Sequence, residues 1–124
     1  MLQGRKNTVN GSQNSLNGDQ NRVSGSNNFL NGAQNVLKGS GNDVQGNSNQ
    51  LLGNNNKVAG NDNKLQGNTN AALGNLNQVI GSDNMLQGNA NKVKGSTNFV
   101  NGSNNALQGD SNAVQGNQNT MIGN

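Results

Sequence analysis

The sequence contains no Cys, His, Pro, Trp, Tyr or Glu. Without Cys or His the chain can build neither a disulfide framework nor a thiolate or imidazole metal site. The Ser residues therefore lack their usual general base, and the 5 acidic residues are Asp side chains scattered along the chain without an evident acid/base pair. We expect no enzyme, no cofactor and no metal.

Charge, aromatic rings and long apolar runs are also scarce. Charged residues make up 10% of the chain, the formal net charge is +3, and Phe29 and Phe99 are its aromatic residues. No apolar stretch approaches the roughly 20 residues of a transmembrane helix, and residues 1–20 lack the apolar run of a signal peptide. We expect no membrane segment, and composition alone would favour disorder.

What the sequence has in abundance is a seven-residue repeat. Gly recurs at every seventh position from Gly4 to Gly123, and Asn follows it three residues later. Two residues after each Asn comes one aliphatic side chain, from Val9 to Met121, so the unit is G-x-x-N-x-Φ-x. Seventeen such units predict a single solenoid domain over residues 1–124. The recurring asparagines are Asn7, Asn14, Asn21, Asn28, Asn35, Asn42, Asn49, Asn56, Asn63, Asn70, Asn77, Asn84, Asn91, Asn98, Asn105, Asn112 and Asn119.

Three other repeat folds fit less well. A coiled coil needs apolar residues at two positions per heptad, and Gly in every second turn would cost about 1 kcal/mol each. A meander of hairpins would use turns such as Asn10-Gly11, but most units lack Asn before Gly. A calcium-binding β-roll needs an Asp that recurs with the repeat, and the Asp residues of this chain do not.

Stacking explains why Asn returns at the same place. In a parallel β-solenoid, equivalent residues lie about 4.8 Å apart, so their amides can bond to one another and to buried backbone groups. We therefore predict an all-β fold, a single-stranded parallel β-solenoid with about nine coils of 14 residues and two short strands per coil. Alternation turns the Asn, the aliphatic residue and the Gly inward. Asn is expected at one bend of the coil, and Gly at the other bend would supply a backbone shape that a Cβ opposes.

Several units resemble the N-x-V-x-G repeats of the grass antifreeze and ice-recrystallisation-inhibition proteins. They include Asn7-Thr8-Val9-Asn10-Gly11, Asn21-Arg22-Val23-Ser24-Gly25 and Asn112-Ala113-Val114-Gln115-Gly116. The resemblance covers the whole chain and implies a left-handed β-roll, an ice surface as the partner and an extracellular location. The family's outward positions are rich in Thr, Ser and Val, whereas only Thr8 and Thr120 are Thr residues at outward strand positions here.

Alternate units present two outer faces of different charge. One carries Arg22, Lys38, Lys64, Lys92 and Lys94 and no acid, but it has no aromatic platform, so we expect no nucleic-acid binding. The other has one acid and one base, an apolar column and a nearly continuous amide column. It is the candidate ice-binding face because strongly hydrated charges resist a shared water lattice. Its candidate residues are Ser15, Asn17, Phe29, Asn31, Gln45, Ala59, Ala71, Leu73, Met85, Gln87, Phe99, Asn101, Ala113 and Gln115.

A second function class stays open at this point, that of a structural or self-assembling solenoid such as a filament subunit, an adhesin stalk or a spacer. Residues 1–3 already belong to a strand and residues 123–124 begin another unit, without a capping segment. Open β-edges favour end-to-end self-association. Phe29 and Phe99 are five coils apart, so they are not expected to form a continuous apolar patch.

Overall fold

The computed structural model describes residues 1–123, which form eighteen β-strands and no helix. The strands belong to two nine-stranded sheets with parallel pairing throughout. Sheet I contains β1 (Leu2–Gln3), β3 (Ser15–Asn17), β5 (Phe29–Asn31), β7 (Asp43–Gln45), β9 (Lys57–Ala59), β11 (Ala71–Leu73), β13 (Met85–Gln87), β15 (Phe99–Asn101) and β17 (Ala113–Gln115). Sheet II contains β2 (Thr8–Asn10), β4 (Arg22–Ser24), β6 (Val36–Lys38), β8 (Gln50–Leu52), β10 (Lys64–Gln66), β12 (Gln78–Ile80), β14 (Lys92–Lys94), β16 (Ala106–Gln108) and β18 (Thr120–Ile122).

The strand register confirms the predicted coil. Lys64 in β10 pairs with Gln50 in β8 and with Gln78 in β12, an offset of 14 residues in each direction. Successive strands alternate between the two sheets, so each coil contributes one strand to sheet I and one to sheet II. The chain is therefore an all-β parallel β-solenoid of nine coils, with two strands in each.

One aliphatic side chain per strand fills the space between the sheets. In β10, for example, Leu65 is buried while Lys64 and Gln66 are exposed, as alternation along a strand requires. The buried aliphatic residues run continuously from Leu16 to Val114 and form one cluster. This thin core confirms the predicted inward position of the aliphatic residue.

Strands are joined by corners of sequence Gly-x-x-Asn, in which all four backbone N–H groups can bond to neighbouring coils. Gly and Asn therefore begin and end one and the same bend, and the expectation that they mark two different bends is wrong. Each corner is stacked between the equivalent corners of the neighbouring coils, so its polar backbone groups need hydrogen-bond partners in those coils. In the corner at 74–77 the bonds are Gly74 N–H to Ala59 O at 2.9 Å, Asn75 N–H to Asn89 Oδ1 at 2.8 Å, Leu76 N–H to Asn61 O at 3.0 Å and Asn77 N–H to Asn63 Oδ1 at 3.0 Å.

The recurring asparagines form two internal ladders, one at each corner of the coil, and their side chains are buried from Asn21 to Asn112. In the middle of one ladder, Asn63 Nδ2 donates to Asn49 Oδ1 at 3.1 Å and to Gly74 O at 2.8 Å. Asn63 Oδ1 accepts the backbone N–H of Asn77 at 3.0 Å and its Nδ2–H at 3.1 Å. Each amide therefore links three coils, which confirms the predicted asparagine ladder.

The residue before each ladder Asn has a left-handed backbone conformation, which the sequence pattern did not reveal. Its φ is close to +60° throughout, for example +59° at Thr69 and +60° at Leu76. Gly41, the one glycine outside the seven-residue spacing, occupies this position with a φ of +69°. The additional glycine therefore belongs to the pattern of the corners, because this region of φ favours glycine.

A second, outer ladder follows the corners and was also missed. Of the seventeen residues that follow Gly4 to Gly116, all except Arg5 and Ala33 are Ser, Asn or Asp. Many of these side chains accept the backbone N–H of the equivalent residue in the preceding coil, as Asn61 Oδ1 accepts from Asn47 N–H at 2.8 Å. The outer ladder thus satisfies the corner N–H group that neither a backbone carbonyl nor the internal asparagine ladder reaches.

Ala33 interrupts this outer ladder, and Ala33→Asn should repair it. The N–H of Asp19 has no acceptor among residues 1–123, and an Oδ1 at position 33 would supply one, as Asn47 Oδ1 does for Ala33 N–H at 2.8 Å. We expect the free energy of unfolding in urea to rise by about 1 kcal/mol. Ala33→Leu, of similar size without an acceptor, should give no such gain. An equal rise in both variants would show that the hydrogen bond is not the cause.

Candidate functional site

All fourteen residues predicted for the ice-binding face lie at outward positions of sheet I. We name this surface face I, and the outer surface of sheet II face II. Face I has two columns of side chains, one before and one after the buried aliphatic residue of each strand. From β3 onward the first column is Ser15, Phe29, Asp43, Lys57, Ala71, Met85, Phe99 and Ala113, and the second is Asn17, Asn31, Gln45, Ala59, Leu73, Gln87, Asn101 and Gln115.

Face I is a regular surface because its strands pair in register without a bulge. Met85 lies opposite Phe99 and Gln87 lies opposite Asn101, and the same 14-residue offset holds for the other pairs of sheet I. Parallel strands lie about 4.8 Å apart, so both columns repeat at that spacing. The corners hold both margins of the sheet through their backbone bonds. Face I is thus a rigid array with one repeat distance along the solenoid axis.

Charge separates the two faces. Face I contains one acid and one base, Asp43 and Lys57, which are paired in register on β7 and β9. Asp43 Oδ1 is buried and has no hydrogen-bond partner within residues 1–123. Face II contains five basic residues and no acid in its strands. They are Arg22, Lys38, Lys64, Lys92 and Lys94.

The first column of face I contains a continuous apolar stretch over four coils. Ala71, Met85, Phe99 and Ala113 are successive partners in register, and Leu73 lies beside Ala71 in the second column. Met85 is 52% exposed, Phe99 43% and Leu73 43%. Phe29 lies five coils from Phe99 and outside this stretch, so the two aromatic side chains form no common patch, as expected.

The second column of face I is mainly a row of amides. Gln3, Asn17, Asn31 and Gln45 are successive partners in register, and the amides resume at Gln87 after Ala59 and Leu73. Asn17 Nδ2 lies 3.4 Å from Asn31 Oδ1, so neighbouring amides are within hydrogen-bond distance. Face I therefore places an apolar column beside a column of neutral donors and acceptors.

The Thr residues do not contribute to face I. Thr8 and Thr120 lie in β2 and β18 of sheet II. Thr69 and Thr97 lie in corners, at the positions with positive φ. The outward Thr residues that the family resemblance led us to look for are therefore on the other face, and face I is built from small, apolar and amide side chains.

Two of the acidic side chains accept hydrogen bonds from backbone N–H groups of the corners. Asp19 Oδ1 accepts the N–H of Arg5 at 2.6 Å, and Asp110 Oδ1 accepts the N–H of Ser96 at 2.6 Å. Within residues 1–123, no group of three or more acidic, His or Cys side chains could hold a metal ion. The described part of the chain also has no helix with the length and apolar character needed to cross a membrane.

One feature of the surface was missed and could have been found from the sequence. The outer ladder is visible as Ser, Asn or Asp after nearly every repeat Gly, and it was overlooked because the two positions between Gly and Asn were treated as equivalent. The apolar and amide columns of face I, in contrast, follow from aligning residues 14 positions apart in the sequence.

The repeat and the solenoid can be compared with known proteins. The family model for the grass antifreeze β-roll matches residues 1–72 and residues 30–124, which together span the whole chain. No curated protein matches the chain. The family match agrees with the 14-residue register and the stacked asparagines of the structure. The resemblance seen in the sequence is thereby confirmed, and the chain belongs to the grass antifreeze β-roll family.

Proposed function

We propose that this protein binds ice through face I and so inhibits the growth or recrystallisation of ice. The family match supports ice as the target. The observation that carries the choice of face is the uncharged surface of four consecutive coils, from β11 to β17, on an in-register sheet. We propose an extracellular location as well, since the family resemblance implies it.

The chemistry of face I suits a surface made of water. Ammonium and guanidinium groups hold their own hydration shells and would compete with the water arrangement of a crystal. The column of Ala71, Met85, Phe99 and Ala113 binds water weakly, while the neighbouring amides can donate and accept hydrogen bonds. The fixed strand spacing of about 4.8 Å presents these groups without reorganisation on binding. An adsorbed molecule would then stop the growth of the ice beneath it.

Ala71→Lys tests both the function and the face. The unmodified protein should slow crystal growth in a nanolitre drop and in a recrystallisation assay. A lysine at position 71 places a hydrated charge at the first residue of the four-coil apolar stretch, beside Met85, so we expect most of this inhibition to be lost, on the order of tenfold or more in the concentration required. The matched control is Ala106→Lys, at a half-buried Ala in the equivalent column of face II, which should retain full inhibition.

Each outcome of this comparison is informative. Loss of inhibition in Ala106→Lys but not in Ala71→Lys would assign ice binding to face II. Normal crystal growth with the unmodified protein at high concentration would contradict ice binding altogether. Removing the existing charges from face I, with Asp43→Ser and Lys57→Ala together, should increase the inhibition, because both replacements lower hydration of the face.

Self-association is the alternative use of the same solenoid. Within residues 1–123, β1 pairs only with β3 and β18 pairs only with β16, so both leave backbone groups available for another strand. Sedimentation velocity over a wide concentration range measures this directly. A single species with the mass of one chain at every concentration would exclude end-to-end stacking, whereas growing species without ice inhibition would favour a structural role.

A further inference from the structure

We infer that Asn10 is a site of spontaneous deamidation in the folded protein, and that the fold protects the other three Asn-Gly pairs. The inference is independent of ice binding. The sequence contains four Asn-Gly pairs, each at the junction of a strand and a corner. They are Asn10-Gly11, Asn17-Gly18, Asn31-Gly32 and Asn101-Gly102.

The reaction uses only the two residues of the pair and solvent water. The backbone nitrogen of the Gly attacks Cγ of the Asn side chain, the Cγ–Nδ2 bond breaks, and the side-chain amide leaves as ammonia with the proton of the Gly nitrogen. The cyclic succinimide is then opened by water at either carbonyl, which gives Asp or isoaspartate. Gly favours the first step because it has no Cβ to hinder the backbone rotation that brings its nitrogen to Cγ.

Three of the pairs have this rotation blocked at the attacking nitrogen itself. The N–H of Gly18 donates to Gln3 O at 3.1 Å, that of Gly32 to Asn17 O at 2.9 Å and that of Gly102 to Gln87 O at 2.9 Å. The carbonyl of the same peptide unit is also bonded, since Asn17, Asn31 and Asn101 each accept from a Gly of the next coil. Attack therefore requires both backbone hydrogen bonds of the Asn-Gly peptide unit to break.

The remaining pair, Asn10-Gly11, has only one of these two backbone hydrogen bonds. The N–H of Gly11 has no acceptor among residues 1–123, and the peptide unit is held only by the bond from Gly25 N–H to Asn10 O, at 2.9 Å. In the described part of the chain its strand, β2, pairs with β4 alone, whereas β3, β5 and β15 are paired on both sides. Asn10 is also exposed. Edge strands open locally at low cost, so the nitrogen of Gly11 can reach Cγ far more often than the other three.

The product changes face II rather than face I. Asn10 points outward from β2, in register with Ser24 of β4. Conversion of its amide to a carboxylate lowers the formal net charge by one, from +3 to +2. The first acidic group then appears on the face that otherwise carries only basic charges.

Peptide mapping by mass spectrometry tests the inference on the 124-residue protein. The folded protein is incubated in warm, mildly alkaline buffer and sampled over time, and trypsin digestion follows. Cleavage after Lys6 and Arg22 yields one peptide with both Asn10 and Asn17, so fragmentation compares the two sites within one molecule. We expect the gain of one mass unit at Asn10 to be at least about tenfold faster than at Asn17, Asn31 or Asn101.

Two controls separate the effect of the fold from that of the sequence. In denaturant the four pairs should react at similar rates, because the ladder bonds are then absent. Deamidated protein has a net charge lower by one and separates from the unmodified protein in ion-exchange chromatography. Asn10→Ser, which copies the residue at the equivalent position in β4, should prevent the early appearance of this form while leaving the fold intact. Equal rates at all four sites in the folded protein, or faster reaction at Asn17 than at Asn10, would overturn the inference.

Discussion

Gly60→Ala is expected to lower the free energy of unfolding by about 4 kcal/mol or more, the range that single substitutions reach only in special cases. Gly60 has a φ of +139°, a conformation that residues with a Cβ rarely adopt. A Cβ at this position would point along the solenoid axis, overlap the carbonyl oxygen of Gly74 and lie 2.6 Å from its carbonyl carbon. This oxygen cannot move aside, because it accepts the side-chain amide of Asn63 at 2.8 Å. The new methyl group would therefore force adjacent coils apart.

The matched control is Gly41→Ala, the same change at the glycine outside the seven-residue spacing. A Cβ at position 41 would overlap the side-chain oxygen of Asn55, which can rotate away, and would lie at ordinary contact distance from the backbone nitrogen of Asn55. Ala90 already occupies the equivalent corner position with a φ of +56°. We expect a cost of about 1 kcal/mol for this variant. Urea unfolding followed by circular dichroism measures both. Similar unfolding midpoints for the two variants would show that the close packing of successive Gly residues does not limit coil spacing.

The role of these glycines is only partly visible in the sequence. The seven-residue spacing predicts that Gly occupies a bend, and the expectation of an unusual backbone conformation is confirmed by the positive φ at Gly60. The expected inward orientation is wrong, since Gly60 is half-buried and its missing side chain would meet the next coil rather than the core. A repeat shows which residues are equivalent, but it does not show in which direction successive copies touch.

The fold itself followed from three positions per unit. Asn, the aliphatic residue and Gly recur without exception along the repeat, and an alternation such as Lys64, Leu65 and Gln66 identifies the buried side of a strand. Two units per coil then follow from the bends, and the 14-residue register confirms this. The regular part of the sequence therefore determines nearly the whole backbone.

The candidate site depends on the irregular part, and there prediction was weaker. The sequence placed fourteen residues on face I, and they lie there. The column through Met85, Phe99 and Ala113 follows from aligning residues 14 positions apart. The sequence pattern did not show that Asp43 carries a buried oxygen with no hydrogen-bond partner among residues 1–123. Such properties come from contacts between coils, which vary from one unit to the next. Affinity for ice would likewise be a property of the assembled surface, and the lysine substitutions proposed for the two faces test it.

Of the substitutions to Ala at the side chains of its coil, Asn63→Ala should be the most destabilising. We expect it to lower the free energy of unfolding by about 3–5 kcal/mol. The substitution removes the partner of three groups: the carbonyl of half-buried Gly74, the backbone N–H of Asn77 and one side-chain N–H of Asn77, whose amide keeps its bond to Gly88 O at 2.9 Å. Each unsatisfied buried group costs roughly 1–3 kcal/mol. Asn49 Oδ1 keeps one donor, the backbone N–H of residue 63, so the damage is concentrated in the coil that follows.

Two further variants establish that position in the ladder is the cause. Lys64→Ala, at the exposed neighbour, should change stability by less than about 0.5 kcal/mol. Asn119→Ala should cost clearly less than Asn63→Ala, because Asn119 is exposed and, within the described residues, its amide bonds only to Asn105 Oδ1, at 3.0 Å. If the three unfolding midpoints in urea coincide, the asparagines are tolerated rather than required, and the stability of the solenoid must come from its backbone ladders and thin aliphatic core alone.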